Sequence, residues 1–146
     1  MEYCNVKKLY VGCGLTGVSE EFRNSVEDFK QALRADFEVF DFVGLEQGTA
    51  ADVYNWDIGH CVRTCDAFVG ICDYPSFGLG WELAEATRLA KPTLAIAHES
   101  LRITRLILGA AAVEPQVEFR TYDGTLRQSI DQHADWYSAI RQQRIH

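Results

Sequence analysis

The run Lys7-Lys8-Leu9-Tyr10-Val11-Gly12-Cys13-Gly14-Leu15-Thr16-Gly17 opens the first regular element of the chain. Its β-branched and aromatic residues end in glycines, the pattern of a buried strand that runs into a tight turn. Downstream, Ser19 precedes Glu20 and Glu21, a helix-start signal with acid in the first turn, and Phe22, Val26, Phe29 and Leu33 recur at helical spacing on one apolar face. Phe37 to Val43 predicts a second strand, Gly44 to Thr49 a loop, and Ala50 to Cys65 a helix whose stripe Ile58, Cys61, Val62 and Cys65 has Asp57 at its border. Ala67 to Cys72 is the short continuous apolar run of a central parallel strand, ending in the loop Asp73-Tyr74-Pro75-Ser76. Leu79, Leu83, Ala86 and Ala90 mark the next helix, followed by a strand over Pro92–Ala97, a helix over Ile103–Ala112, a fifth strand over Val117–Tyr122 and a closing helix over Thr125–Gln142. Strands alternating with helices predict an α/β fold, a three-layer sandwich with a five-stranded parallel sheet of doubly wound type. Ligands of such sheets bind at the carboxyl ends of the strands, so the loops after Val11, Val43, Cys72 and Ala97 should surround the site.

Bulk properties agree with one compact soluble domain over residues 1–146. The 146 residues are 47% hydrophobic and 24% charged with three prolines, which excludes a multi-domain enzyme, a disordered tail, a collagen-like chain and a disulfide-stapled mini-domain. There is no internal repeat, low-complexity tract or linker. Fourteen Lys plus Arg against twenty-one Asp plus Glu leave a net charge of −7, which argues against long nucleic acid as a partner and leaves a single nucleotide open. The longest apolar stretch, Leu106 to Val113, is far below the ~18 residues of a membrane span, and Met1 to Asn5 lacks a signal peptide's basic and apolar regions. The five cysteines, an odd number, read as reduced thiols of a cytoplasmic protein. His60-Cys61-x-x-x-Cys65 lacks CxxC spacing and a second ligand pair, so no metal is expected.

Two glycine-rich loops carry the chemistry. Gly12-Cys13-Gly14-Leu15-Thr16-Gly17 matches GxGxxG between a strand and a helix, the context of a dinucleotide fingerprint, with Asp41 as the ribose contact. Against NAD, the helix begins near Ser19, beyond the last glycine, and no residues remain for a substrate domain. The glycines can equally make a plain tight turn, or a turn whose N–H groups accept a small anion or sugar. The denser signal is Asp73-Tyr74-Pro75-Ser76-Phe77-Gly78-Leu79-Gly80-Trp81-Glu82-Leu83, where a hydroxyl, backbone N–H groups and a carboxylate converge at a helix N-terminus. The first two suit a phosphate. A Glu82 in the first helical turn is expected to be held ionised, which suits a nucleophile, or else simply decorates the helix end.

The segments Leu9 to Gly17, Asp57 with Cys65-Asp66-Ala67-Phe68-Val69, Pro75 to Ala84, Lys91-Pro92 and Ile103 to Gly109 together resemble the nucleoside 2-deoxyribosyltransferase superfamily, nearest to its 2′-deoxynucleoside 5′-phosphate N-hydrolases and related nucleotide N-glycosidases. The resemblance covers about Leu9 to Gly109 and is most specific from Ser76 to Glu82. It implies a flavodoxin-like fold, no cofactor, and cleavage of the bond between a base and its sugar. It also implies roles: Glu82 as nucleophile at the anomeric carbon, Asp57 as the carboxylate handling protons at the base, and Tyr10 against the sugar's 2′ face. Gly12, Gly14, Leu15, Thr16, Gly78 and Gly80 are implied to bind substrate. Ser76 stands where the nucleotide hydrolases contact the 5′-phosphate and the nucleoside transferases tend to carry aspartate. Thr104 matches a serine reaching the phosphate from the neighbouring subunit, so the resemblance implies a homodimer or higher homo-oligomer. Three positions depart from the pattern: Thr16 replaces a common arginine, Cys13-Gly14 replaces Gly-Ser or Gly-Pro, and the interval from Asp57 to Glu82 differs by about one residue.

The expected reaction is hydrolysis of a (2′-deoxy)nucleoside 5′-monophosphate through a covalent glycosyl-glutamate. The alternatives are base exchange on free deoxynucleosides by a transferase, and a non-catalytic nucleotide-binding sensor. Trp56, Trp81 and Trp136 read as core or interface aromatics, with Trp81 beside Glu82 able to line the pocket. His60, His98, His133 and His146 have no partner at a triad spacing, and Tyr122 and Tyr137 are candidates to close the base pocket.

Overall fold

The computed structural model describes residues 6–43 and 47–143; Cys4, His146 and the first three residues of the expected loop Gly44–Thr49 lie outside them. Five strands, β1 (Lys8–Cys13), β2 (Glu38–Phe40), β3 (Ala67–Ile71), β4 (Thr93–His98) and β5 (Val117–Tyr122), form one parallel sheet in the order β2-β1-β3-β4-β5. This is the flavodoxin-like doubly wound order, and its direction reverses between β1 and β3. Helices α1 (Glu20–Leu33), α5 (Leu126–Gln132) and α6 (Ala134–Gln142) cover one face; α2 (Ala50–Val53), a π-helical segment (Tyr54–Val62), α3 (Phe77–Arg88) and α4 (Arg105–Val113) cover the other.

Strand periodicity divides the core. Leu9, Val11, Val69, Ile71, Leu94 and Ile96 pack under α1, α5 and α6, whereas Tyr10, Phe68, Ala95 and Ala97 point the opposite way, onto Leu79, Leu83 and Ala86 of α3 and Ile58, Cys61 and Val62 of the π-helical segment. That alternation delivers the Tyr10 hydroxyl to the α3 side of the sheet.

Several expected bounds shift for physical reasons. β2 ends at Phe40 rather than Val43, because Asp41 and Val43 bond to other groups: Trp56 Nε1 donates to the Asp41 carbonyl at 2.6 Å and the Val43 N–H to Asp57 at 3.0 Å. The helix expected over Ala50–Cys65 is one α-turn, started by a Thr49/Asp52 capping box, followed by nine residues of π-helix. The wider i→i+5 winding still buries Ile58, Cys61 and Val62 while leaving Asp57 half-buried at the cleft. The closing helix breaks at His133, whose Nε2–H donates to the Thr121 carbonyl at 2.9 Å and ties the break to β5. Among the described cysteines, Cys13, Cys61, Cys65 and Cys72 are free and buried, and burial pushes each thiol up to about 12. No described helix is long and apolar enough to cross a membrane, and the described residues hold no metal-binding cluster.

Candidate active site

A cleft of about 250 Å³ opens at the carboxyl edge of the sheet where β1 and β3 part. Tyr10, Cys13, Leu15 and Thr16 come to it from β1 and its loop, Phe42 and Val43 from the end of β2, Val53 and Asp57 from the helical segment, and Ser76, Gly78, Leu79 and Glu82 from the start of α3.

At its floor the Tyr10 hydroxyl donates a short hydrogen bond to Glu82 Oε2. Both are buried, Tyr10 fully and Glu82 at 8% exposure. Helix α3 begins at Phe77, so Glu82 lies in its second turn, with no acid in the first. The expectation of a carboxylate held ionised by the helix end is therefore corrected. Burial pushes the Glu82 carboxyl up to about 7; the Tyr10 hydrogen bond opposes this and the charge of Asp57 adds to it. Asp57 is itself raised by burial, against the Val43 N–H that bonds its Oδ1. Two carboxyl groups, both raised by burial, thus face one cleft, an arrangement of the kind active sites build.

The glycines have packing reasons. A Cβ on Gly12 would stand 3.0 Å from Glu82 Oε1 and from Phe68 Cζ, and one on Gly14 3.0 Å from Ser76 Cβ and the Tyr74 carbonyl. Both are buried behind the cleft wall, which Leu15 and Thr16 supply on this side, and they admit Glu82 and Ser76 to the strand edge. Gly17, at φ +72°, makes the turn before Ser19 caps α1. The fingerprint glycines thus end short of the helix. Asp41, the ribose contact of the NAD reading, is bound by Lys30 at 2.8 Å and Arg34 at 2.7 Å.

Ser76 is the N-cap of α3: its Oγ accepts from the Leu79 N–H at 3.2 Å and keeps its own proton to donate. The N–H groups of Phe77 and Gly78 precede the first intrahelical bond, whereas the Gly80 N–H is taken by the Ser76 carbonyl at 3.1 Å. Gly80 therefore offers no free donor and lies outside the cleft. Beyond Ser76 a cavity of about 160 Å³ is shared with Arg102 and Thr104, the latter capping α4. A shallower hollow of about 180 Å³, with Tyr54 and Trp81, flanks Asp57 and Glu82 on the other side. Trp81 is thus beside the carboxylates but outside the main cleft; Trp136 is in the core, and Trp56 stacks on His60 at 4.5 Å. Tyr122 and Tyr137 do not close the cleft. They are buried in the α1/α5/α6 core, with the Tyr122 hydroxyl bonded to Asp73.

Sequence reasoning missed Phe42, Val43 and Val53 as cleft walls. Their only signal was their place at a strand's carboxyl end and at a helix start, and the hydrophobic pattern assigned Phe42 and Val43 to β2.

The fold is a flavodoxin-like α/β sandwich with its cleft at the topological switch point, the position where such sheets bind ligands. Solved structures that share it include the Clostridium botulinum CMP N-glycosidase BcmB, 17% identical with a TM-score of 0.67, the match covering 87% of this chain and 100% of that one. A lysine decarboxylase of Francisella novicida, LdcF, is 10% identical with a TM-score of 0.54 over 95% of this chain and 18% of that one. A two-component response regulator from Cytophaga hutchinsonii is 12% identical with a TM-score of 0.50, covering 95% and 100%. No protein-family model and no curated protein matches the sequence. Since a glycosidase, a response regulator and a segment of a decarboxylase share this fold, activity has to be argued from the site.

Proposed function

We propose that the protein cleaves the N-glycosidic bond of a (2′-deoxy)nucleoside 5′-monophosphate. The observation that carries this reading is the buried Tyr10–Glu82 hydrogen bond facing Asp57 across one cleft at the switch point. Ionised Glu82 attacks C1′ as the C1′–N bond breaks, and the bonding electrons pass to the base. Asp57 in its protonated form supplies the proton that the departing base takes up. Positive charge developing on the sugar meets the carboxylate, as in retaining glycosidases. Water then attacks C1′, returns Glu82 to its carboxylate and leaves its proton with Asp57. The Ser76 hydroxyl and the N–H groups of Phe77 and Gly78 suit the 5′-phosphate. The CMP N-glycosidase activity of the C. botulinum protein on the same fold supports this substrate class.

The active form is a homodimer in this reading. Helix α4 is apolar at every position after Arg105 except Gly109, yet buries none fully, and a groove of about 670 Å³ separates it from α3. Phe77, Trp81, Leu106 and Val113 stand exposed on these two helices, apolar surface of the kind a second copy would cover. The cavity that Ser76 and Thr104 share within one chain adjoins this groove through Gly80 and Ile107, so a second copy covering the groove would stand beside the Ser76 loop. Sedimentation of the wild type as a dimer and of Leu106→Asp as a monomer is expected.

The test of activity is chromatography after incubation with a panel of ribo- and deoxyribonucleoside monophosphates and free nucleosides, with and without an added second base. Free base from monophosphates is the expected result. Base exchange on free nucleosides alone would instead mark a transferase, and stoichiometric binding without base release a sensor.

A further inference from the structure

We infer that Lys30 is a positioning residue for Asp57, acting through the strap Asp41-Phe42-Val43. This rests on the N-glycosidase reading for its catalytic consequence, and on the fold alone for its structural one. Lys30 lies in the last turn of α1, on the face of the sheet opposite α3, with its side chain 2% exposed. A buried ammonium is tolerated only where charges and dipoles compensate it. Here Nζ is 2.8 Å from Asp41 Oδ1, 3.1 Å from Glu27 Oε1 and 4.5 Å from the centroid of the Phe42 ring. Two consecutive residues of the strap are thus held by one cation, the first as an ion pair and the second through its ring face.

The strap needs such anchoring because the β-ladder stops at Phe40, opposite Tyr10, so Asp41 to Val43 have no strand partner. From the other side, Trp56 of the π-helical segment donates to the Asp41 carbonyl, and the Val43 N–H donates to Asp57 Oδ1. Asp57 sits one residue after Trp56. The strap is therefore clamped between α1 and the element that carries Asp57, and its last residue delivers the one backbone donor among the described residues that bonds this carboxylate. Phe42 and Val43, in between, form the cleft wall. Arg34, 2.7 Å from the same Asp41 Oδ1, holds the strap's exposed end, whereas the cation over the Phe42 ring is Lys30.

The test uses amide exchange and a mutant cycle. Exchange at the Val43 N–H, followed by NMR on the full chain, is expected to quicken at least tenfold in Lys30→Met and in Asp41→Ala and to stay near wild type in Lys30→Arg. Amides of Val69 and Ile96 in the sheet should be unchanged in all three. Asp41 is largely exposed, so its replacement tests the strap without altering a buried side chain. In turnover, Lys30→Met should slow base release, and Lys30→Met with Asp57→Asn should be no slower than Asp57→Asn alone, since both act through one carboxylate. Losses that multiply, or Val43 exchange unaltered in both Lys30→Met and Asp41→Ala, overturn the inference. Should the wild type release no base from any nucleotide, the N-glycosidase reading falls, and Val43 exchange still decides the role of Lys30.

Discussion

Replacing Tyr10 with Phe removes one hydroxyl from a residue that is fully buried and packs on Phe68 with ring centroids 5.5 Å apart, so the ring and its packing survive. What goes is the hydrogen bond that stabilises ionised Glu82 against burial and against the charge of Asp57. A hydrogen bond to a charged group is worth about 1.5–3 kcal/mol, or roughly one to two units of pKa. The Glu82 carboxyl, near 7 in the wild type, then moves up by that amount. The ionised nucleophile at neutral pH falls from about half to roughly 1–10%, a loss of about 5- to 50-fold that shrinks toward unity in alkali. The assay is kcat/KM for base release against pH, in both proteins. The alkaline-rising limb should lie near 7 in the wild type and be displaced upward in Tyr10→Phe, with the two curves converging at high pH. An unmoved limb, or a loss of the same size at every pH, would refute the coupling of this hydroxyl to the nucleophile.

Glu82→Gln tests the same burial through stability. Because the folded carboxyl is raised from 4.5 to about 7, the protonated form is favoured by folding: its contribution is full below 4.5 and is lost as pH rises through about 7, ~3 kcal/mol in all. Thermal melts should show that decline in the wild type and a curve flatter by about this amount in Glu82→Gln; parallel curves would contradict it. Asp57→Asn should slow turnover most for bases that are poor leaving groups, read from rates across a panel of bases, and an equal loss for all would remove its proton-handling role. Ser76→Ala should weaken monophosphates more than nucleosides in steady-state kinetics, on top of about 1 kcal/mol of lost helix capping.

Much of this architecture is legible in the sequence because local rules and global packing agree. Ser19 and the spacing of Phe22, Val26, Phe29 and Leu33 locate α1, and the uninterrupted apolar run of β3 betrays burial on both faces. The departures occur where side chains override local propensity. Phe42 and Val43 look like strand, but Asp57 and Trp56 claim their backbone groups. The π-helical winding of residues 54–62 leaves the stripe Ile58, Cys61, Val62 intact, so no periodicity reveals it. Glu82 itself was legible as a candidate, and its environment was not. Its charge state depends on Tyr10, 72 positions away in sequence, and on a Gly12 that leaves room for Oε1. The long-range ion pair of Lys30 with Asp41 was equally silent, since nothing local distinguishes a buried lysine in a last helical turn from an exposed one.

The most direct measurement is base release from a nucleoside 5′-monophosphate by Glu82→Ala beside the wild type, with circular dichroism to verify that the variant folds. Loss of the covalent path should lower turnover by about 10³-fold or more. A folded variant that still frees base at close to the wild-type rate would show that the sugar's C1′ is attacked by something other than this carboxylate.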